Sequence, residues 1–202
     1  LLTYMGTHVG LQKTFGFSKA EALRIEKQYH ELYEVSDEWV MERIEEASKQ
    51  GYVELAFGHR LRTPILPQVI LNSDSMPFQA YEEMKTAGNA LGQSYGLLNS
   101  HSANLFMDRV WNSKWRYEVL PVMQIHDSQY YLIRNRLELV KWVNDNLIEC
   151  MEWQDLDPIR HDEVGLGGTL EVYYPDWSNP IKIPNYIDKK SLRQLLRKAA
   201  AS

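Results

Sequence analysis

The residues best suited to chemistry in this 202-residue chain form the triplet His126-Asp127-Ser128. Apolar, β-branched and aromatic runs flank it, Val122 to Ile125 before and Gln129 to Ile133 after. Neither run has a helical period, so we predict two half-buried strands joined by a tight turn. Such a hairpin can present a carboxylate and an imidazole to a metal ion and a phosphate. For the triplet alone, an aspartate that bonds nearby backbone N–H groups is the commoner explanation.

A second pattern lies in the long helix predicted over residues 78 to 111. Gly88, Gly92 and Gly96 recur at every fourth position, although each glycine costs about 1 kcal/mol in a helix interior. Some other group should therefore approach this face closely. One ammonium and two amide side chains form a second row, one position round the helix: Lys85, Asn89 and Gln93.

This glycine and amide surface suits the minor groove of a nucleic-acid duplex. Purine N3 and pyrimidine O2 accept hydrogen bonds there whatever the base sequence, so base-pair geometry can be checked without reading bases. The alternative is a small-residue seam that packs against another helix, with the amides at its rim. For an isolated helix, packing against another helix is the simpler interpretation. The predicted hairpin turn with its carboxylate favours the interpretation as a duplex-binding surface.

Several segments, taken in order, resemble the polymerase core of family A DNA polymerases, the Klenow-type and phage replicative enzymes. Gly51-Tyr52-Val53-Glu54, with Gly58 to Pro64, is similar to that family's GYVET…GRRL…P hairpin. Gly88 to Ser94 resembles its N-x-x-x-Q helix. Gln124-Ile125-His126-Asp127 resembles its Q-V-H-D sequence, called motif C. Because the order is kept as well as the short patterns, the resemblance is more specific than any one motif.

The resemblance also extends to the first residues, since Leu2-Thr3-Tyr4 followed by Gly10-Leu11 is similar to the end of a fingers helix. The collinear matches then cover about residues 1 to 134. The chain is accordingly expected to open within that helix, downstream of the family's other metal-binding aspartate, in motif A. The implied protein is a C-terminal part of a polymerase, which needs its N-terminal remainder or a companion chain that carries motif A.

The resemblance implies template-directed transfer of a nucleotidyl group from a dNTP to a primer 3′-hydroxyl. Two Mg²⁺ ions would be held by the two aspartates. Asp127 matches the aspartate of motif C. Ser128 departs from the glutamate common at the next position, and the same His-Asp-Ser order occurs in single-subunit phage-type RNA polymerases. An RNA polymerase fragment therefore remains an alternative, as does a non-catalytic DNA-binding or interaction module.

The resemblance assigns further roles around primer-template DNA. His126 would bond near the primer terminus and Gln124 would support that strand, while the row Lys85, Asn89 and Gln93 would hold the duplex. Arg60 and Arg62 would contact phosphates of the primer-template, and the ring of Tyr4 would stack near the nascent base pair. Without the resemblance, two arginines on a strand are most often solvated, and Tyr4 is an aromatic ring that packs a helix end.

Composition is that of an ordinary globular chain, with 44% hydrophobic and 24% charged residues. No apolar run approaches the roughly 20 residues of a membrane span, and the first residues do not show the basic-then-apolar pattern of a signal sequence. We therefore expect no membrane association and a cytoplasmic location, in the host cytoplasm if the protein is phage-encoded. The net charge of −5 neither favours nor excludes DNA, because acids cluster in residues 26 to 46 and bases in residues 182 to 198.

The predicted fold is α+β and mostly helical, with a palm β-hairpin and a small antiparallel sheet packed by long helices. Fingers helices are predicted over residues 1–50, with a capping box from Ser18 to Glu21. A palm portion follows over residues 51–178, with the motif C hairpin at residues 119–134. Residues 179–202 form a basic C-terminal tail, and Trp177 to Pro184 is expected to leave the domain. Asp127 should project into an open cleft lined by Asn89 and Gln93.

Overall fold

The computed structural model describes residues 2–4, 6–174 and 176–199, with the backbone alone for Tyr4. These residues form seven α-helices and three two-stranded antiparallel sheets. The predicted α+β, mostly helical class is confirmed. The chain divides into two compact units, Leu1–Tyr95 and Gly96–Ser202. The boundaries of fingers, palm and tail proposed from the sequence remain predictions. Within the described ranges, no helix has both the length and the apolar character that a membrane span needs.

The first unit contains four helices and one hairpin. These are α1 (His8–Phe15), α2 (Lys19–Leu32), α3 (Glu34–Gln50), β1 (Tyr52–Glu54), β2 (Arg60–Arg62) and α4 (Phe78–Ser94). The predicted capping box is present at the start of α2, where the Ser18 hydroxyl accepts from the Glu21 N–H and the Glu21 carboxylate accepts from the Ser18 N–H. Gly51 ends α3 with φ of 80°, a left-handed conformation that suits glycine.

The core of this unit lies between α3, the β1–β2 hairpin and α4. Its buried members are Ile44, Ala47, Val53, Leu66, Met84, Ala87 and Leu91. Thr63 is also buried, and its hydroxyl donates to the Ala47 carbonyl across 3.3 Å. These contacts hold the exposed strand β2 and the helix α4 on one scaffold.

The second unit contains three helices and two hairpins. Its elements are α5 (Leu97–Trp111), β3 (Val119–Ile125), β4 (Ser128–Ile133), α6 (Leu137–Met151), β5 (Leu170–Tyr173), β6 (Pro180–Ile183) and α7 (Lys189–Ala199). Fully buried Phe106 lies at the centre of the core, with its ring centroid 5.1 Å from Tyr131 of β4 and 5.8 Å from Trp142 of α6. The β3–β4 hairpin is thereby packed against α5 and α6.

An ion pair ties α5 to α6 at the edge of this core. The Arg109 guanidinium donates to both carboxylate oxygens of Glu149, at 2.6 and 3.1 Å. This bidentate contact lowers the pKa of Glu149 and raises the pKa of Arg109. Burial raises the pKa of the neighbouring Cys150 thiol, as expected for a packed cysteine.

Three expectations were wrong. The helix predicted over residues 78 to 111 is two helices, because the Ser94 hydroxyl bonds back to the Leu91 carbonyl and Gly96 follows. Trp177 to Pro184 does not leave the unit, since Pro180–Ile183 forms β6 and pairs with β5. Strand β3 is not half-buried, because every residue after Val119 is exposed.

Candidate functional site at the β3–β4 turn

The triplet His126-Asp127-Ser128 forms the tip of the β3–β4 hairpin. Ile125 pairs with Ser128, so His126 and Asp127 are the two turn residues. His126 has φ of 51°, the positive value that two-residue hairpin turns require and that histidine tolerates better than most residues. Both turn side chains are exposed. The sequence therefore placed Asp127 correctly at a tight turn open to water.

The turn is held from behind by the first turn of α5. The Asn99 amide nitrogen donates to the His126 carbonyl at 2.9 Å, while the Asn99 amide oxygen accepts from the Gln129 side chain at 2.7 Å. Gln129 also lies 2.7 Å from the Ser102 hydroxyl and accepts from Tyr131 at 2.6 Å. One asparagine side chain thus bridges the turn and strand β4.

Sequence reasoning missed this network. Gln129 lies in a run whose other residues are aromatic or apolar, and no local pattern connects it with the polar run Asn99 to Ser102. The signal was present, because an amide among β-branched and aromatic residues needs a hydrogen-bond partner once the strand packs on a helix. Burial also raises the pKa of Tyr131, so its hydroxyl stays protonated and donates to Gln129.

We expect Asn99→Ala to loosen the turn. The change removes a donor from the His126 carbonyl and an acceptor from half-buried Gln129, which costs about 1–2 kcal/mol and so speeds local opening about tenfold. Hydrogen exchange of the turn amides measures this. The control is Asn104→Ala, an exposed asparagine of the same helix. Equal protection in the two variants would show that Asn99 does not position the turn.

Gln124 lies on the side of the hairpin that faces α5. Its amide nitrogen donates to the Ser100 hydroxyl at 3.0 Å, and across the sheet it pairs with Gln129. The Gln124 side chain is nevertheless exposed, so it is held in place and remains open to a ligand. Its predicted role at the primer strand stays a prediction.

The other side of the hairpin carries an exposed apolar surface. Five side chains between 43% and 64% exposed form it: Leu120, Val122, Met123, Ile125 and Leu132. The register shifts between Pro121 and Met123, which brings two consecutive apolar residues to the surface there. Contiguous apolar surface of this kind is unfavourable in water and typically marks an interaction site.

Asp127 and Ser128 also line a cleft of about 1070 Å³ within the second unit. Aromatic rings form part of its wall, with the Trp177 ring centroid 5.2 Å from Tyr130 and 5.0 Å from Tyr173. Helix α7 contributes Leu196 and Ala199 to the same cleft. A carboxylate at the edge of an aromatic-lined cleft can receive a ligand that has both charged and planar parts.

The described residues offer Asp127 as a single carboxylate at this turn. Among them, no group of three or more His, Cys, Asp or Glu side chains is placed to hold a metal ion by itself. Mg²⁺ keeps several waters and often takes only one or two protein carboxylates together with substrate phosphates. The exposed Asp127 carboxylate fits one such ligand, and the remaining ligands would have to come from elsewhere.

The predicted duplex-binding row lies on α4, in the first unit. Lys85 and Asn89 are half-buried, and Gln93 is exposed. The Asn89 side-chain oxygen is buried and has no hydrogen-bond partner among the described residues. A Cβ added at Gly92 would meet no atom within 4 Å, so the described chain brings nothing close to that glycine. Gly96 lies beyond the end of α4, so the predicted row of three glycines on one helix is wrong.

Arg60 and Arg62 lie two residues apart on β2, and both are exposed. The Arg60 guanidinium lies 4.6 Å from the centre of the Tyr52 ring and 3.7 Å from Glu54. Tyr4 belongs to a short 3₁₀ turn, Leu2–Tyr4, and its side chain lies outside the described part of the chain. The phosphate and base contacts assigned to these residues remain predictions.

Asp127, His126 and Gln124 belong to the second unit, whereas the α4 row and the two arginines belong to the first. Each unit positions its own set of side chains. That Asp127 faces Asn89 and Gln93 across a cleft therefore stays a prediction.

No protein-family model matches the chain, and the comparison with curated proteins found no match. Among solved structures, it is similar to the POL domain of Pol1 from M. smegmatis in complex with DNA primer-template and dNTP, with 22% identity and a TM-score of 0.57. The similarity covers 82% of this chain and 27% of that one, so the chain spans about a quarter of its length. At this identity the likeness establishes the fold alone, which is that of a portion of the POL domain.

Proposed function

We propose that this chain is the C-terminal part of a family A DNA polymerase of phage type, and that it supplies one metal-binding aspartate for template-directed DNA synthesis. The observation that carries the proposal is the exposed Asp127 carboxylate on a tight hairpin turn, braced by Asn99, in a chain with a polymerase fold. A braced turn holds the backbone from which the carboxylate projects in place when a charged substrate binds, which favours transfer chemistry.

The proposed reaction is attack of a primer 3′-hydroxyl on the α-phosphorus of a dNTP, with pyrophosphate as the leaving group. Two Mg²⁺ ions, when bound, would activate the hydroxyl and stabilise the charge on the leaving oxygens. Asp127 is the ligand that this chain provides. His126 would bond near the primer terminus, and Gln124, held by Ser100, would support the primer strand.

The second aspartate must come from outside these residues, either from the N-terminal remainder of the polymerase or from a companion chain that carries motif A. The exposed apolar side of the β3–β4 hairpin supports this requirement. Covering its five side chains with another segment would stabilise the structure by roughly 25 cal/mol for each Å² of apolar surface buried: Leu120, Val122, Met123, Ile125 and Leu132. We infer that the segment with motif A packs on that side.

The duplex contacts are proposed for the row on α4 and for β2. Open space at Gly92 and the exposed side chain of Gln93 leave room for a partner at this part of the helix. Lys85, Asn89 and Gln93 would then bond groove edges, while Arg60 and Arg62 would meet phosphates. Tyr4 would stack near the nascent base pair.

Ser128 in place of glutamate favours one second candidate, a single-subunit phage-type RNA polymerase. The Ser128 hydroxyl is a weaker metal ligand than a carboxylate, but Mg²⁺ needs few protein ligands, so either enzyme is chemically possible at this turn. The two are separated by whether the completed enzyme incorporates ribonucleotides or deoxynucleotides. Preferential incorporation of ribonucleotides would overturn the assignment to DNA synthesis.

The requirement for a second segment is tested by primer extension. We expect the 202-residue chain alone to show no incorporation above a no-protein control, because one aspartate cannot hold both ions. Addition of a segment carrying motif A should restore synthesis. Robust incorporation by the chain alone would refute the requirement, and no incorporation by the combined segments would refute the polymerase proposal itself.

A further inference from the structure

Helix α7 carries a concentration of positive charge that contrasts with the net charge of −5 of the whole chain. Five of its eleven residues are basic: Lys189, Lys190, Arg193, Arg197 and Lys198. Lys190, Arg193 and Arg197 have the spacing i, i+3, i+7 and therefore form one stripe along the helix. We call these three residues and the adjacent Lys198 the basic stripe.

The opposite face of α7 is already occupied by the second unit. Leu192 is fully buried, and Leu195 and Leu196 pack with it against Val140 and Ile183. The helix is thereby fixed with its basic stripe towards solvent. An amphipathic helix that inserts into a lipid surface needs its apolar face free, so the observed packing argues against a membrane as the partner.

Glu138 compensates part of the positive charge at the start of the helix. Lys189 pairs with Glu138 at 2.9 Å, and Asp188 accepts from the backbone N–H groups of Lys190 and Ser191 at the start of the helix. Arg193 lies close enough to Glu138 to help Lys189 lower the pKa of that carboxyl. Within the described ranges, however, the four residues of the basic stripe are exposed and form no ion pair.

Position connects the stripe to the candidate site. Leu196 and Ala199 of the same helix line the cleft that Asp127 and Ser128 also line. The helix that carries the stripe on its outer face therefore contributes its inner face to the wall of that cleft. A chain with one phosphate for every nucleotide matches four cations spaced over two helical turns better than a compact anion does.

We propose that the basic stripe of α7 binds the phosphate backbone of nucleic acid without sequence preference. The choice of nucleic acid rather than an acidic protein rests on the proposed polymerase function. The contact is separate from the row on α4 and from Asp127. It would add affinity and hold a strand near the cleft, but it would take no part in nucleotidyl transfer.

The test is the salt dependence of DNA binding by the full 202-residue chain. The variant is Lys190→Gln, Arg193→Gln, Arg197→Gln and Lys198→Gln together. The probe is a short fluorescent duplex of mixed sequence, titrated by anisotropy between about 50 and 200 mM salt. The plot of log K against log salt has a negative slope, and each lost phosphate contact reduces the magnitude of that slope by about 0.9. We therefore expect the magnitude to decrease by about 3 to 4, and DNA binding to be at least about tenfold weaker at 100 mM salt.

A matched control removes four exposed cations from the first unit. It combines Lys13→Gln, Lys19→Gln, Arg24→Gln and Lys49→Gln, which change the net charge by the same amount. We expect its slope to stay within about 1 of the unchanged chain. Hydrogen exchange of the α7 amides verifies that the helix remains docked in the stripe variant, since none of its apolar contacts is altered.

Equal slopes for the stripe variant and the control would overturn the inference. Binding to immobilised polyglutamate, a mimic of an acidic protein, is measured in parallel. If the stripe variant no longer bound polyglutamate but kept the salt dependence of its DNA binding, the partner would be an acidic protein, and the inference would again be wrong. Neither result bears on the polymerase proposal, which is judged by nucleotide incorporation. Conversely, the protein could fail to incorporate nucleotides while the stripe variant still showed the expected weaker salt dependence. The α7 contact would then stand and the polymerase proposal would fall.

Discussion

Asp127→Asn is expected to abolish nucleotide incorporation by the completed polymerase. Asparagine has nearly the same shape, so the turn and its contacts to Asn99 should persist, but the neutral amide cannot replace a carboxylate as a magnesium ligand. Without this ligand the transition state loses several kcal/mol of stabilisation by the metal ions, which slows the reaction by at least about a thousandfold. Single-turnover primer extension in the presence of the motif A segment measures the change.

Asp108→Asn is the matched control for this experiment, since Asp108 is an exposed aspartate on α5 of the same unit. It should leave incorporation within about twofold of the unchanged enzyme. DNA affinity, measured in parallel, should be similar in both variants because Asp127 contributes no positive charge. If Asp127→Asn left synthesis intact, the carboxylate would be only a turn former, and the chain would be better described as a non-catalytic DNA-binding or interaction module.

Phe106→Ala should destabilise the second unit by about 3–5 kcal/mol, the largest stability effect expected of a single substitution here. Phe106 is fully buried at the meeting point of α5, β4 and α6, where its ring contacts Tyr131 and Trp142. Its loss leaves a cavity that these large rings cannot close. Hydrogen exchange of the β3, β4 and α6 amides reports the free energy of opening of this unit.

The control for Phe106→Ala is Trp111→Ala, which removes another large aromatic side chain from α5. Trp111 is 63% exposed, so its loss should cost less than about 1 kcal/mol. We also expect Phe106→Ala to lower incorporation by the completed enzyme, since the β3–β4 turn depends on this core. Equal stability of the two variants would mean that the core identified around Phe106 does not support the hairpin.

Several local features were predictable because neighbouring residues produce them. The capping box at Ser18 and Glu21 and the end of α3 at Gly51 depend on groups within a few positions along the chain. The turn at His126 and Asp127 follows from two β-forming runs separated by polar residues. The similarity in fold to a polymerase domain agrees with the family resemblance seen in the segments 51–64, 88–94 and 124–127.

Other features depend on partners distant in sequence. The period of residues 78 to 111 continues through Tyr95 and Gly96, and only the structure shows the break there. The pairing of Pro180–Ile183 with β5 is also visible only in the structure, where Pro180 is the first residue of its strand, a position at which a missing N–H is tolerated. The Asn99 bridge joins residues 27 and 30 positions apart.

By itself, the sequence determined the α+β class, the hairpin and the position of Asp127 at its tip, since hydrophobic period and turn chemistry are local properties. Tertiary structure alone decided that Asn99 and Gln129 brace that tip, that one side of the hairpin stays exposed and that α7 docks with its basic stripe outwards. The reason is physical: burial and hydrogen bonding of a side chain depend on which distant segments pack against it, and a local pattern does not contain that information.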